Sequence, residues 1–304
     1  MISLIICTYN RDQFIYQTLE HIAANQFLED QYEIVLINNN STDHTESECQ
    51  RFCQNFPQVP MRYFIEMKQG LSHARNRGIE EAKGDILVFL DDDSFVREDY
   101  LRNLAENIIK YPDMMAFGGE IEPLFETGRT PDWLCSWTYS WVSAINKGDK
   151  VCLFKGKSYP IGANMGFRKE CIQQCGEFNT ELGRTGKNML AGEEKDLFNA
   201  IKELGMKIYY FPNLFVQHVI PEKRTTDAYI KRLGYGIGIS EYLRTRKKSS
   251  FLYFKRLFSE MVKWAATIVL WVKYTFSLQF SKGNKLVLFR WNVTKGLLKL
   301  KSDN

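Results

Sequence analysis

The chain has 304 residues, a formal net charge of +4 and 44% hydrophobic residues. That length holds one large domain or one domain with an appendage, with apolar residues in plenty for a core. So mild a net charge gives no reason to expect a nucleic-acid partner. Seven cysteines without framework spacing read as reduced thiols of a cytosolic protein, not as a disulfide scaffold.

Taken in order, Ile2–Cys7 is a short apolar strand that opens the chain with no signal-peptide pattern, and Thr8-Tyr9-Asn10-Arg11-Asp12 is a polar turn. Phe14, Ile15, Leu19, Ile22 and Ala23 then recur at helical spacing. A second strand, Glu33–Ile37, ends in the turn and capping cluster Asn38–Asp43, and a helix runs on to about Phe52. Met61–Ile65 is a third strand, Leu71–Ala82 a helix and Asp85–Leu90 a fourth strand, apolar enough to be covered on both faces. Strand–helix alternation of this kind predicts an α/β domain with a mostly parallel sheet flanked by helices. Ligands of such sheets bind beyond the carboxyl ends of the strands, where three of the polar clusters fall. No G-x-G-x-x-G follows the first strand and no G-x-x-x-x-G-K-[ST] occurs, which argues against a dinucleotide-dependent dehydrogenase and a P-loop NTPase.

The fourth strand runs into Asp91-Asp92-Asp93. Three adjacent carboxylates at the end of a buried strand repel one another, so a positive partner is expected. A hard divalent cation such as Mg²⁺ or Mn²⁺ suits carboxylate oxygens and also holds phosphates. A solvated acidic turn capping a helix is the other reading of these residues.

Beyond them, Gly118–Glu122 reads as a strand. Thr130–Trp141 is rich in aromatics, a pattern that suits a core before it suits sugar stacking. Pro160–Arg168 is a glycine-punctuated strand, Lys169–Cys175 a helix, and Gly192–Leu197 opens another helix. Lys207–Phe211 and Leu214–Val219 are strand-like, and His218, one of four histidines, closes the second. From Lys223 to Lys301 basic residues far outnumber acidic ones, with a cluster at Arg244, Arg246, Lys247 and Lys248.

Several of these stretches together resemble the GT-A nucleotide-sugar domain of family 2 inverting glycosyltransferases. They are Thr8–Arg11, Asn39–Asp43, Gly70-Leu71-Ser72-x-Ala74-Arg75-Asn76-x-Gly78-Ile79, Phe89–Asp93, Asn164-Met165-x-Phe167-Arg168, Gly192-Glu193-Glu194-x-Asp196-Leu197 and His218. The ordered set covers residues 1–235. It implies a GT-A (Rossmann-like) domain over 1–235 and a helical C-terminal extension over 236–304. By position, the resemblance implies that Thr8, Tyr9 and Asn10 line the base and ribose pocket, with Arg11 among the donor-binding residues. Asn38 stands where the family usually has an aspartate that recognises the base. Arg75 and Asn76 hold the nucleotide, Asp91 approaches the ribose, and Asp93 and His218 ligate the metal. Asp92 is the variable middle residue of the D-x-D motif, and Asn164 approaches the donor sugar. Glu194 stands at the catalytic position, where a general base takes the acceptor's proton. Arg232, with Arg224 and Lys231, suits phosphate.

The implied protein is a hexosyl- or N-acetylhexosaminyl-transferase that needs Mn²⁺ or Mg²⁺. It takes a nucleotide-sugar, a UDP-sugar first, and serves a glycan or lipid-linked acceptor in cell-surface polysaccharide synthesis. A nucleotidyltransferase on a related fold is an alternative, as is a non-catalytic glycan- or lipid-binding protein; the set Asp91, Asp93, Glu194 and His218 argues against the second. The run Trp264–Val272 is bounded by Lys263 and Lys273 and too short to span a bilayer, and Leu286–Leu300 resembles it. Both read as interfacial helices, peripheral on the inner face of the plasma membrane, against the alternative of a helical subdomain packed within the protein.

Overall fold

The apolar runs near the N-terminus become strands because each alternates between two faces that are both buried. In β1 (Ile2–Thr8), Ile2, Leu4 and Ile6 join one core cluster and Ile5 the other. In β4 (Ile86–Asp91), Ile86, Val88 and Leu90 face the first while Leu87 and Phe89 face the second. The structure, a computed structural model, describes residues 1–25, 31–181 and 192–300. Two more strands, β2 (Tyr32–Asn38) and β3 (Met61–Ile65), complete a parallel set in the order β3-β2-β1-β4. The first core cluster packs under α1 (Ile15–Ala23), α2 (Thr45–Asn55) and α4 (Tyr100–Lys110), and the second under α3 (Leu71–Glu81), α5 (Lys169–Cys175) and α6 (Glu193–Glu203). The expected α/β layering, a sheet between helices, is what the chain forms.

Past β4 the sheet becomes antiparallel. β8 (Met165–Arg168), β6 (Met114–Phe125), β9 (Lys207–Ile220) and the short β5 (Ser94–Val96) continue it in that order, and β7 (Cys152–Leu153) pairs with β9. The two strands expected over 207–219 are one. Pro212, which lacks a donor, falls between the stretch of β9 paired with β7 at 209–210 and the stretch paired with β5 at 216–218, so the strand continues through it.

The chain forms two compact units: residues 1–124, 143–181 and 192–219 in the first, and 125–142 and 220–300 in the second. The second is built on α7 (Asp227–Lys248), α8 (Ser250–Phe276) and α9 (Phe280–Leu297). Within it α7 and α9 approach closely through glycines. A Cβ on Gly238 would stand 2.2 Å from the Val293 carbonyl oxygen and 2.8 Å from Gly296 Cα. Trp141 stacks on Phe289 at 4.4 Å, and Trp133 and Trp141 are both buried, so these two rings fill the core of this unit. Leu286, Phe289, Val293 and Leu297 of α9 are buried as well. Of the apolar residues expected to form a second interfacial helix over 286–300, these four pack on protein, whereas Trp291, Leu298 and Leu300 are exposed. Among the described residues no helix is long and apolar enough to cross a membrane.

Candidate active site

The carboxyl ends of the parallel strands carry the polar clusters, and the register aligns them, Thr8 beside Asn38 and Cys7 beside Asp91. The loops that follow β1 and β2 are laced together. The backbone N–H groups of Asn10, Arg11 and Asp12 donate in turn to Ser41 Oγ, Thr45 Oγ1 and Asp43 Oδ2, at 3.0, 3.0 and 3.2 Å. Asn10 Oδ1 accepts from the Thr42 N–H at 2.8 Å. Asn10 and Asn40 take positive φ, 51° and 60°, at these turns, a conformation asparagine adopts more readily than most residues.

Asp91, Asp92 and Asp93 follow at the end of β4, and the pairing of Ser94 with His218 brings the histidine of β9 back over them. His218 Nε2 lies 3.1 Å from Asp93 Oδ1 and 3.9 Å from Asp91 Oδ2. One ligand atom from each of the three residues falls within 4.8 Å of the others. Neither ring nitrogen of His218 makes a hydrogen bond among the described residues, although the side chain is 1% exposed. A buried imidazole with idle nitrogens, facing two carboxylates, is the donor set of a divalent cation site, and the residues fit that group.

The positive partner expected for the aspartates is also supplied in part by protein. Arg11 Nη2 lies 3.2 Å from Asp93 Oδ2, and its Nε 3.5 Å from Asp92 Oδ1. Burial, and then the Asp93 charge, push the Asp92 carboxyl up to about 7, with Arg11 pulling it down.

On the facing side, Glu193 and Glu194 open α6. The Arg75 guanidinium, 3% exposed, reaches Glu194 Oε1 at 2.9 Å and Glu193 Oε1 at 3.4 Å. Burial holds the Glu194 carboxyl above its usual range; Arg75 pulls it down, while Glu193 and Asp91 push it up. The Asp91 charge also raises the Arg75 guanidinium, so Arg75, Glu194 and Asp91 form one electrostatic group. Gly162 makes room for it. This glycine lies in the short 3-10 turn Gly162–Asn164 before β8, and a Cβ there would meet Arg75 Nη2 at 2.1 Å and Glu194 Oε1 at 2.4 Å.

Residues 3–176, more than half of the chain, match the family model described as Glycosyl transferase family 2. The chain belongs to glycosyl transferase family 2. It is 24% identical over 229 residues to a glucosyl-dolichyl phosphate glucuronosyltransferase of Haloferax volcanii, covering 74% of this chain and 71% of that protein. Of several further relatives it spans about half the length or less. Among solved structures, it is similar to a mannosyltransferase of Pyrobaculum calidifontis in complex with GDP-Man and Mn²⁺, with a TM-score of 0.63 and 16% identity over 99% of this chain and 88% of that one. It is also similar to S. aureus TarS 1–349 in complex with UDP-GlcNAc, with a TM-score of 0.55 and 14% identity over 99% and 93% of the two chains. The chain thus has a GT-A fold.

In this family 2 chain, several residues singled out by sequence are engaged with the protein itself. Asn38 Oδ1 accepts from the Ser41 N–H at 2.8 Å, and its Nδ2 donates to the Tyr63 hydroxyl at 2.7 Å. Asn76 clamps the Phe178 peptide, donating to its carbonyl at 2.9 Å and accepting from its N–H at 3.0 Å. Asn164 donates to the Glu120 and Leu214 carbonyls at 3.1 and 2.8 Å and accepts from the Tyr100 hydroxyl at 2.7 Å, tying β6, β9 and α4 together. Thr8 is buried and Tyr9 is 45% exposed. Arg232 belongs to the second unit, exposed on α7. Sequence reasoning gave no role to Gly162, Tyr63 or Thr45, and singled out Ser41–Asp43 only as part of the cluster 38–43. The glycine's only local signal was its place in the glycine-punctuated run 160–168.

Proposed function

We propose that this chain is a divalent-metal-dependent inverting glycosyltransferase. It moves a hexosyl or N-acetylhexosaminyl group from a nucleoside-diphosphate sugar to a glycan or lipid-linked acceptor of a cell-surface polysaccharide, in the cytoplasm at the inner face of the plasma membrane. The observation that carries this reading is the meeting of two groups at one sheet end: the Asp91/Asp93/His218 donor set and the Arg75-held Glu194. The glucuronosyltransferase relative, named for a dolichyl phosphate substrate, supports a lipid-linked acceptor. The structural neighbours bind GDP-Man or UDP-GlcNAc, so a UDP-sugar is tested beside a GDP-sugar.

In this reading Asp93 and His218 would hold the ion, and Asp91, the third member of that set, would also reach the ribose. A bound divalent ion supplies Lewis-acid stabilisation of the departing diphosphate. Glu194 accepts the acceptor hydroxyl's proton as that oxygen bonds to the anomeric carbon and the sugar–phosphate bond breaks, its electron pair leaving with the diphosphate. A carboxylate whose proton affinity burial has raised is a better base for this step. Arg75 positions it, and Arg11 lowers the repulsion among the aspartates. Thr8, Tyr9 and Asn10 line the nucleotide pocket. Asn38, Asn76 and Asn164 act by holding the loops and strands around it.

The test separates binding from turnover. Calorimetric titration with UDP and GDP, with and without Mn²⁺, should show metal-dependent binding of one nucleotide, and Asp93→Ala should weaken it by about 100-fold or more. Glu194→Gln should keep donor affinity and lose about a hundredfold to ten-thousandfold in kcat. Metal-independent binding, or full turnover by Glu194→Gln, would overturn the assignment.

A further inference from the structure

Helix α8 carries an apolar stripe that no described residue of its own unit covers. Phe251, Phe254, Phe258, Met261, Val269 and Phe276 are each at least 65% exposed, and their spacing keeps them on one side of the helix. From Phe251 to Phe276 the stripe is about 38 Å long at the usual helical rise. A contiguous exposed apolar surface of this size marks an interaction site. The opposite side of α8 is fixed. Buried Glu260 accepts from Arg256 at 2.7 Å and from Arg290 of α9 at 3.1 Å, Trp264 Nε1 donates to Thr294 Oγ1 at 2.9 Å, and Thr267 is buried. These contacts leave the stripe facing away from α9.

Charge decides what covers the stripe. Glu260 is the single acidic residue of α8, and it is consumed by two arginines. The other acids of α7–α9 are also engaged: Asp227 with Lys285, and Glu241 with Arg244 and Arg256. Lys255 and Lys273 are exposed beside the stripe and lie eighteen residues, five full turns, apart, so both flank it on the same side. A symmetric pairing of two copies through α8 would bring lysine against lysine, with no unengaged acid on α7–α9 to pair them. An anionic lipid surface matches both features. Phenylalanines enter the boundary between headgroups and acyl chains, and lysines meet the phosphates above it.

We propose that α8 lies flat on an anionic phospholipid surface, its phenylalanine stripe inserted in the interface and Lys255 and Lys273 on the headgroups. This assignment is independent of the transferase reading, because it concerns vesicle binding and not turnover. The full chain is floated with vesicles of phosphatidylcholine alone and with vesicles containing about 30% phosphatidylglycerol. Binding is expected to the anionic vesicles, falling at ~0.5 M salt as headgroup charge is screened. The double substitution Phe254→Ser/Phe258→Ser should weaken it by about tenfold or more at unchanged thermal stability, because both side chains face solvent. Lys255→Glu/Lys273→Glu should abolish the preference for anionic over neutral vesicles. Failure of the wild-type chain to float would overturn the proposal. So would a concentration-dependent dimer that Phe254→Ser/Phe258→Ser converts to monomer, since the stripe would then belong to a second copy.

Discussion

At the scale of single residues, the proposed catalytic constellation depends on a side chain that is missing. Arg75 can hold Glu194 only because Gly162 leaves the space between them and the turn open. A methyl group there would overlap the ends of two flexible side chains and no backbone atom, so the fold should survive while the pair is pushed apart. Gly162→Ala is therefore expected to lower kcat by about 10–100-fold, the usual cost of a misplaced catalytic group, with little change in the melting temperature. Steady-state kinetics with parallel thermal melts check this; unchanged kcat would show that Glu194 does not need its present position. The aspartates stood out in the sequence as three adjacent carboxylates at a strand end, whereas His218 and Glu194 were singled out only through the ordered resemblance, since alone they suit a structural histidine and a helix cap equally well. The Arg75–Gly162–Glu194 contact was not legible there, because residues so far apart in the chain meet only after β4 and β8 pair. Arg11 shows a related limit. Its place in the polar turn after β1 was visible, but its role as counter-charge to Asp92 and Asp93 depends on how that turn folds back over the end of β4.

At the scale of elements, the amino end of the parallel strands is held by one buried carboxylate. Glu33, at the start of β2, accepts from Ser3 Oγ of β1 at 2.7 Å, from the Lys83 N–H after α3 at 2.6 Å, and from Arg62 Nη1 of β3 at 3.0 Å. Burial alone would raise its carboxyl, but the bonds from Ser3, Lys83 and Arg62, with the Arg62 charge, outweigh it and hold the group below its ordinary 4.5. A carboxyl depressed in the folded state stabilises the fold above its unfolded pKa, and that contribution is lost as pH falls through the lower folded value. Stability should accordingly fall on acidification below about pH 4.5, part of that fall being due to Glu33. Glu33→Gln should cost about 2 kcal/mol at pH 7, as expected for hydrogen bonds to a charged acceptor, and should flatten the acid limb. Urea denaturation of both proteins from pH 7 to pH 3 reads both effects; parallel limbs would remove Glu33 as the cause. The strands themselves were easy to read, since a core on both sides demands unbroken apolar runs. α9 was harder, because Leu286, Phe289, Val293 and Leu297 make a helical stripe that suits lipid or protein equally.

What separates those two outcomes emerges only at the scale of the whole molecule, in how the second unit is assembled. In that unit α7 and α9 touch backbone to backbone. A Cβ on Gly238 would come within 3 Å of the Val293 carbonyl oxygen, Leu297 N and Gly296 Cα, and a Cβ on Gly296 would meet the Tyr235 carbonyl oxygen at 2.2 Å. No rotamer relieves a clash with main-chain atoms, so the helices would have to separate along their length. Gly238→Ala should therefore destabilise this unit by about 2 kcal/mol or more, although alanine is the better helix former. The first unit has its own two core clusters and contains the Asp91, Asp93, His218, Arg75 and Glu194 side chains, so its contacts are untouched by the change. Calorimetric melting should then show an early transition in Gly238→Ala that is absent from the wild type, with metal-dependent nucleotide binding retained between the two transitions. A single transition that carries nucleotide binding down with it would mean that the two units unfold as one and that the helical unit is a condition of the donor site.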